Sequence, residues 1–143
     1  MKIALTDETG ELDARYRARL RKIAGSVLRS LDVNKASELS VTFIGDAAMR
    51  DLNRSWRGID RATDVLSFPQ DGEGPVPLLG DIVISLDTTR RHAVRYGSTF
   101  HEEIKKLVVH GILHLLGHDH KKKKEKEVMR GLEEVLLEEI REM

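Results

Sequence analysis

The sequence predicts an α+β domain in which about five helices gather against one small mixed β-sheet. Apolar residues recur at helical spacing in long segments and alternate in short ones, and the two kinds follow one another as βαβαββααα. The chain has 143 residues, a length at which one core forms, and neither a linker-like stretch nor an internal repeat divides it. Residues 1–143 are therefore expected to be a single domain.

Residues 1–5 read as a short strand. Residues 12–31 read as a helix burying Tyr16, Leu20, Ile23, Ala24, Val27, Leu28 and Leu31. Its other face carries Arg15, Arg17, Arg19, Arg21, Lys22 and Arg29, the composition of a solvated surface. Residues 39–44 (LSVTFI) alternate as a half-buried strand does. Asp46 is placed as the cap of a helix that turns Ala48, Met49, Leu52 and Trp56 inward and ends near Gly58. Residues 65–68 form an apolar strand stopped by Pro69, and residues 82–85 form another. Between them, residues 70–80 hold three Gly and two Pro in eleven positions, which predicts a mobile rim.

A helix starting at Leu86 or Asp87 reaches Tyr96 and is ended by Gly97. Thr99 with Glu102 is a capping-box pair that opens the next helix, which runs to about Leu116 and buries Phe100, Ile104, Leu107, Val108 and Leu115. The last helix, residues 125–142, is expected to bury Val128, Met129, Leu132, Val135, Leu136 and Ile140, with Met129 a core residue beneath whatever the preceding helix presents.

Composition narrows the function classes. With 24 basic and 24 acidic side chains the net charge is zero, so no global positive field announces a nucleic-acid binder and any such binding rests on local patches. The absence of cysteine removes disulfides and thiolate metal sites together, leaving imidazole and carboxylate as metal ligands. The N-terminal stretch MKIALTDETG turns polar after five residues, and no apolar run approaches a membrane span. A soluble cytoplasmic protein without membrane contact is expected.

One motif dictates chemistry. In HGILHLLGHDH, His110 and His114 are four residues apart on a helix and so share a face, while Gly117 can take positive φ, end the helix and return the chain so that His120 closes a three-nitrogen face. Three protein nitrogens leave a tetrahedral Zn²⁺ one open position, the arrangement of a catalytic rather than a sealed structural ion. His118 is read as a rim or hydrogen-bonding residue, since a fourth protein ligand would close the site. Arg57 follows Trp56 at a helix end and suits bidentate phosphate capture. Asp64, at a strand start, and Asp119 are candidates for steering the imidazoles, because ligating histidines commonly donate their other N–H to a carboxylate.

Leu52, Asn53, Trp56, Arg57, Asp60, the tract from Thr63 through Pro69, then Gly80, Asp81, Ile82 and Ser85, then HGILHLLGHDH, resemble the YbeY family of bacterial metal-dependent endoribonucleases. The likeness extends through Met129 and covers nearly the whole chain. It implies a zincin-like fold, one Zn²⁺ per chain on His110, His114 and His120, a functional Arg57, and a role in ribosomal RNA processing and quality control, notably at the 3′ end of the small-subunit RNA. It also implies RNA and the small ribosomal subunit as partners. One position departs from the pattern: His118 stands where the family usually has Tyr.

The spacing HxxxHxxGxxH is shared with metzincin proteases, which carry Glu directly after the first His as general base. Here that position is Gly111, and losing such a base costs peptide hydrolysis about 10²- to 10⁴-fold, whereas phosphodiester cleavage draws more on cationic and Lewis-acid stabilisation. The expected active site therefore pairs the metal at His114 and its partners with Arg57. Arg90, Arg91 and Arg95, with Lys121 and Lys122 of the run 121–124, are candidates to hold the RNA backbone, the run being equally readable as a solvated helix start. Two other readings stay open: a ribosome-associated RNA-binding factor with a structural zinc, and a metalloprotease.

Overall fold

The computed structural model describes residues 1–70 and 74–143. Its elements follow the expected order: β1 (Lys2–Asp7), α1 (Ala14–Ser30), β2 (Glu38–Ile44), α2 (Asp46–Arg57), β3 (Val65–Pro69), β4 (Leu78–Ser85), α3 (Leu86–Arg95), α4 (Phe100–Leu115) and α5 (Lys123–Glu139). The strands form one mixed sheet in the order β1-β2-β4-β3, with β1, β2 and β4 parallel and β3 antiparallel at an edge.

The main core lies on one face of this sheet. Leu39, Val41 and Phe43 of β2 and Ile82 and Ile84 of β4 alternate inward and meet Leu20, Ile23 and Val27 of α1 and Ile104, Val108 and Ile112 of α4. Full burial of each such side chain is worth about 1.5–3 kcal/mol, so this layer holds the fold. The opposite face is covered only in part, where Met49 of α2 sits with Ile44 and Leu66 in a small second cluster.

Several local expectations need correction. Asp46 is not the α2 cap: Gly45 occupies that position, and the Asp46 N–H is taken by the Asp87 carboxylate at 2.8 Å. Its own carboxylate accepts from Ser85 Oγ, Thr88 Oγ1 and Arg91, which ties the start of α2 to the start of α3. Burial works against the charge on Asp46, but Arg91, Thr88 and Ser85 outweigh it and hold the carboxyl below the usual range. Trp56 and Ala48 are exposed rather than inward, and Asn53 is buried on α2 instead, its amide donating to the Arg61 carbonyl at 2.9 Å. On α5, Val128 and Val135 face solvent while Met129, Leu136 and Ile140 are buried. Pro69 ends β3 from inside the strand, which an edge position permits. The rim expected at 70–80 is shorter, since β4 begins at Leu78; residues 71–73 lie outside the described residues.

Two interactions set the height and tilt of α4. Its start is capped by the Thr99 hydroxyl, which accepts from the Glu102 N–H at 3.1 Å. Near its end, Gly111 lies so close to β4 that an added Cβ would stand 2.8 Å from a methyl of Ile82, a side chain with no exposure. Alanine is the better helix former by about 0.5–1 kcal/mol, so in open space Gly111→Ala would stabilise. Here the added carbon enters a filled core, and we expect a net loss of about 1–3 kcal/mol in a denaturant titration. Combining it with Ile82→Ala, which removes the crowding carbons, should cost less than the sum of the two single changes; strict additivity would mean that the contact is not what the glycine serves.

Candidate metal centre

The end of α4 carries His110 and His114 on one face, with ring centroids 4.5 Å apart. The helix then stops. The Gly117 N–H donates to the His114 carbonyl at 3.0 Å and the His118 N–H to the Leu113 carbonyl at 3.0 Å, while Gly117 sits at φ 94, the left-handed conformation that closes helices. This reversal returns His120 to 5.2 Å from the His114 ring and 5.9 Å from the His110 ring. One nitrogen from each of the three lies within 4.8 Å of the others, a spread that a single ion can bridge. Asp119 holds the return in place by accepting the His120 N–H at 2.7 Å, a bond that also keeps its carboxyl below the usual range.

Burial, then the neighbouring imidazoles of His110 and His120, push His114 below the ordinary histidine range. A neutral imidazole is the form that ligates, so burial favours the ligating form of His114. His110 is oriented from behind: its Nδ1–H donates to Glu133 of α5 at 3.1 Å, which leaves Nε2 for a metal. Donor set, spacing and this carboxylate together fit a divalent cation of the zinc class.

Glu133 was not anticipated from the sequence, although one signal was present. It stands on α5 between Met129 and Leu136, at the i+4 and i−3 positions of a buried stripe, where an acid needs a partner. Asp64, expected to steer an imidazole of the centre, does something else. Its Oδ1 accepts the Val65 N–H at 2.8 Å and its Oδ2 lies 3.6 Å from His92 Nδ1, so it braces the start of β3 against α3. Asp119 acts on the backbone of His120 and not on a ring. His118 lies outside the three-histidine group; only its backbone takes part in the turn.

The three histidines open into a cleft of about 650 Å³ whose other walls include Arg57, Thr63, Ser67, Asp119 and Lys121. Arg57 is exposed at the last turn of α2, and among the described residues no carboxylate pairs with it. Arg50 and Arg54 on the same helix are committed, to Asp60 at 2.8 Å and to Asp51 at 3.0 Å. The other basic candidates divide. Lys121 borders the cleft, whereas Lys122 stands at the N-cap position of α5 without a side-chain capping bond, Arg90 pairs with Glu11 and Asp87, Arg91 pairs with Asp46, and Arg95 lies over the Tyr96 ring. None of Arg90, Arg91 and Arg95 lines the cleft.

Comparison with known proteins places this geometry. Residues 2–141 match the family profile described as endoribonuclease YbeY. Relatives named endoribonuclease YbeY include one from Myxococcus xanthus, 51% identical over 71% of this chain and 36% of its own length. One from Rhizobium johnstonii is 46% identical over 73% of this chain and 64% of its own, and one from Persephonella marina is 41% identical over 85% and 82%. The chain thus spans about a third of the first relative's length and just under two thirds of the second's. The solution structure of TM1509 from Thermotoga maritima superposes with a TM-score of 0.65 at 26% identity, covering 98% of this chain and 92% of that one. With a profile match over nearly its full length and three histidines at the end of α4 facing an arginine across a cleft, this chain belongs to the YbeY family.

Proposed function

We propose that the protein is a metal-dependent endoribonuclease that cuts single-stranded RNA. Its physiological target in this reading is ribosomal RNA, at the 3′ end of the small-subunit RNA and in ribosome quality control, with the small subunit as partner and the cytoplasm as its place of action. Zinc, one ion per chain, is the native metal. The observation that carries the reading is the placement of Arg57, a guanidinium without a carboxylate partner among the described residues, in the same cleft as the three imidazoles. A free guanidinium facing a cation site is arranged for an anion between them.

A zinc ion held by His110, His114 and His120 would supply Lewis acidity toward a phosphodiester and toward water. The remaining work belongs to the chain. Arg57 is placed to grip the non-bridging phosphate oxygens and to stabilise charge that grows on them as the phosphorus is attacked. Lys121 adds a second cation at the same rim, and Asp119 and Glu133 hold His120 and His110 in their ligating positions. The cleft is open and His120 is exposed, which supports chemistry over a sealed structural ion. Gly111, with no room for a side chain, offers no carboxylate beside the metal, which disfavours a peptidase.

No helix of the described residues is long and apolar enough to cross a membrane.

Three outcomes test this reading. Arg57→Ala should lower kcat/KM on a single-stranded RNA by about 10²- to 10³-fold with zinc content unchanged, and Arg57→Lys should recover only part of it. Undiminished cleavage by a folded, zinc-loaded Arg57→Ala protein would remove Arg57 from the active site. Glu133→Ala should weaken zinc binding about 10- to 100-fold in a chelator competition, with Glu133→Gln intermediate because its amide oxygen still accepts but carries no charge. With Arg57 and Lys121 the lysine and arginine side chains that line the cleft among the described residues, log K against log salt for short single strands should have a slope of about −1.4, at roughly −0.7 per phosphate contact. A slope of about −2.1 would mean that one of Arg90, Arg91 and Arg95 joins in, and one of about −3.5 that all three do.

A further inference from the structure

Trp56 and Arg57 are consecutive, yet they border different recesses. Arg57 lines the metal cleft, while Trp56 lines a second groove of about 880 Å³ on the sheet face that α2 leaves partly bare. Thr42, Val83 and Phe68 line its sheet side, and Leu52 contributes from α2. The two recesses share Ser67 and Pro69, so only the edge strand β3 separates them.

Trp56 is 69% exposed, its ring edge-on to Phe68 with centroids 5.4 Å apart. A large aromatic left this open beside an apolar groove is a stacking platform in search of a flat partner. At the far end, Gln70 Nε2 donates to Asp81 Oδ2 at 3.0 Å, a polar pair with spare acceptor and donor capacity.

The ridge between the recesses is a poor place for an extended peptide. The Asp64 carbonyl accepts from the Ser85 N–H and the Gln70 N–H donates to the Leu79 carbonyl, so alternate residues of this segment point their backbone groups at β4 and Val65, Ser67 and Pro69 point theirs outward. Of these three, Val65 has its N–H taken by Asp64 and Pro69 has none. A strand adding here would find one donor, at Ser67. A chain that needs no backbone ladder but carries flat bases has no such difficulty.

We propose that the groove is a nucleobase subsite, resting on the nuclease reading above. Unpaired bases flanking the phosphate gripped by Arg57 turn over the β3 edge and stack on Trp56, and the Gln70–Asp81 pair meets their polar edges. The carboxylates of Asp81 and Glu8 on the groove's border suit bases, whose exocyclic amines donate, and repel phosphates, which keeps the backbone on the Arg57 side.

Trp56 is the only tryptophan in the chain, so its emission reports the contact directly. Zinc-loaded protein would be mixed in a stopped-flow cell with a single-stranded RNA 12-mer, an abasic strand of equal length and a basic amphipathic peptide, and read before turnover. Cleavage of the 12-mer would be followed in parallel. The subsite predicts quenching by the 12-mer and little by the abasic strand. It also predicts that Trp56→Ala weakens binding of a labelled 12-mer by about five- to a hundredfold while Trp56→Phe stays within a few-fold of wild type. Circular dichroism should show both variants folded, since the side chain is exposed. Equal quenching by the abasic strand, or wild-type affinity in Trp56→Ala, overturns the subsite. Quenching by the peptide alone assigns the groove to a protein partner. Cleavage with unaltered emission sinks the subsite and leaves the nuclease standing, whereas neither binding nor cleavage removes both.

Discussion

The close approach of α4 to β4 at Gly111 and Ile82 is the contact on which the candidate site depends. It draws the C-terminal half of the helix down onto the sheet, so that His110 and His114 emerge beside β3 rather than out in solvent. That depth gives the cleft its far wall, since Ser67 of β3 then lies 3.4 Å from the Gly111 carbonyl and faces the same space as the imidazoles. The contact also has a chemical result. A metalloprotease helix of this spacing carries its general base where the chain here has no room for a side chain, so one steric fact both seats the metal ligands and disfavours a peptidase.

A helix held this close must also be held along its length, and α5 supplies the second clamp. Lys105 is buried on α4, with its ammonium 3.0 Å from Glu102 and 3.2 Å from the Arg141 carbonyl just past the end of α5. A cation at a helix C-terminus meets the negative end of the dipole and unpaired carbonyls, which offsets its desolvation. Roughly three turns back along α5 from Arg141, Met129 is buried in the main core, and Glu133 follows at i+4 to take the His110 N–H. Packing and ligand orientation thus come from one stripe of α5, and a change in that stripe would disturb the metal before it disturbed the sheet.

What could be read from sequence follows from the range of each interaction. The nine elements of the described residues and their order rest on local periodicity and caps, and apart from Asp46 the caps stand in the structure: Thr99 caps α4, Gly58 ends α2 in the left-handed conformation, and Gly117 turns the chain back. The three histidines were legible because their geometry is set within eleven residues. Glu133 was not, because its partner is 23 residues away and only the docking of α5 on α4 joins them. Trp56, Val128 and Val135 were misplaced for a related reason: periodicity gives a helix an apolar face, but how much of that face is covered depends on what the neighbours leave bare. Arg90 and Arg91 looked available as cations because their partners Glu11 and Asp46 lie 79 and 45 positions away.

Those distant pairings bear on how a chain of zero net charge would act on RNA in the proposed reading. Several of its 24 cations are paired at short range, Arg50 with Asp60, Arg54 with Asp51, Arg90 with Glu11 and Arg91 with Asp46. With acidic and basic side chains equal in number there is no net field to gather RNA indiscriminately, and in the proposed reading the cations that matter are those of the cleft, Arg57, Lys121 and the ion that the imidazoles fit, beside the carboxylates of Asp64 and Asp119. Affinity concentrated at one phosphate is weak for a polymer with many, so discrimination must come from what lies next to that phosphate. On this protein the neighbour is Trp56, one residue from Arg57 and across a single strand from the metal ligands, where an unpaired base has something to stack on and a base locked in a duplex does not. In the proposed reading, a preference for single strands would follow from the placement of two adjacent side chains at the end of α2 on opposite sides of β3.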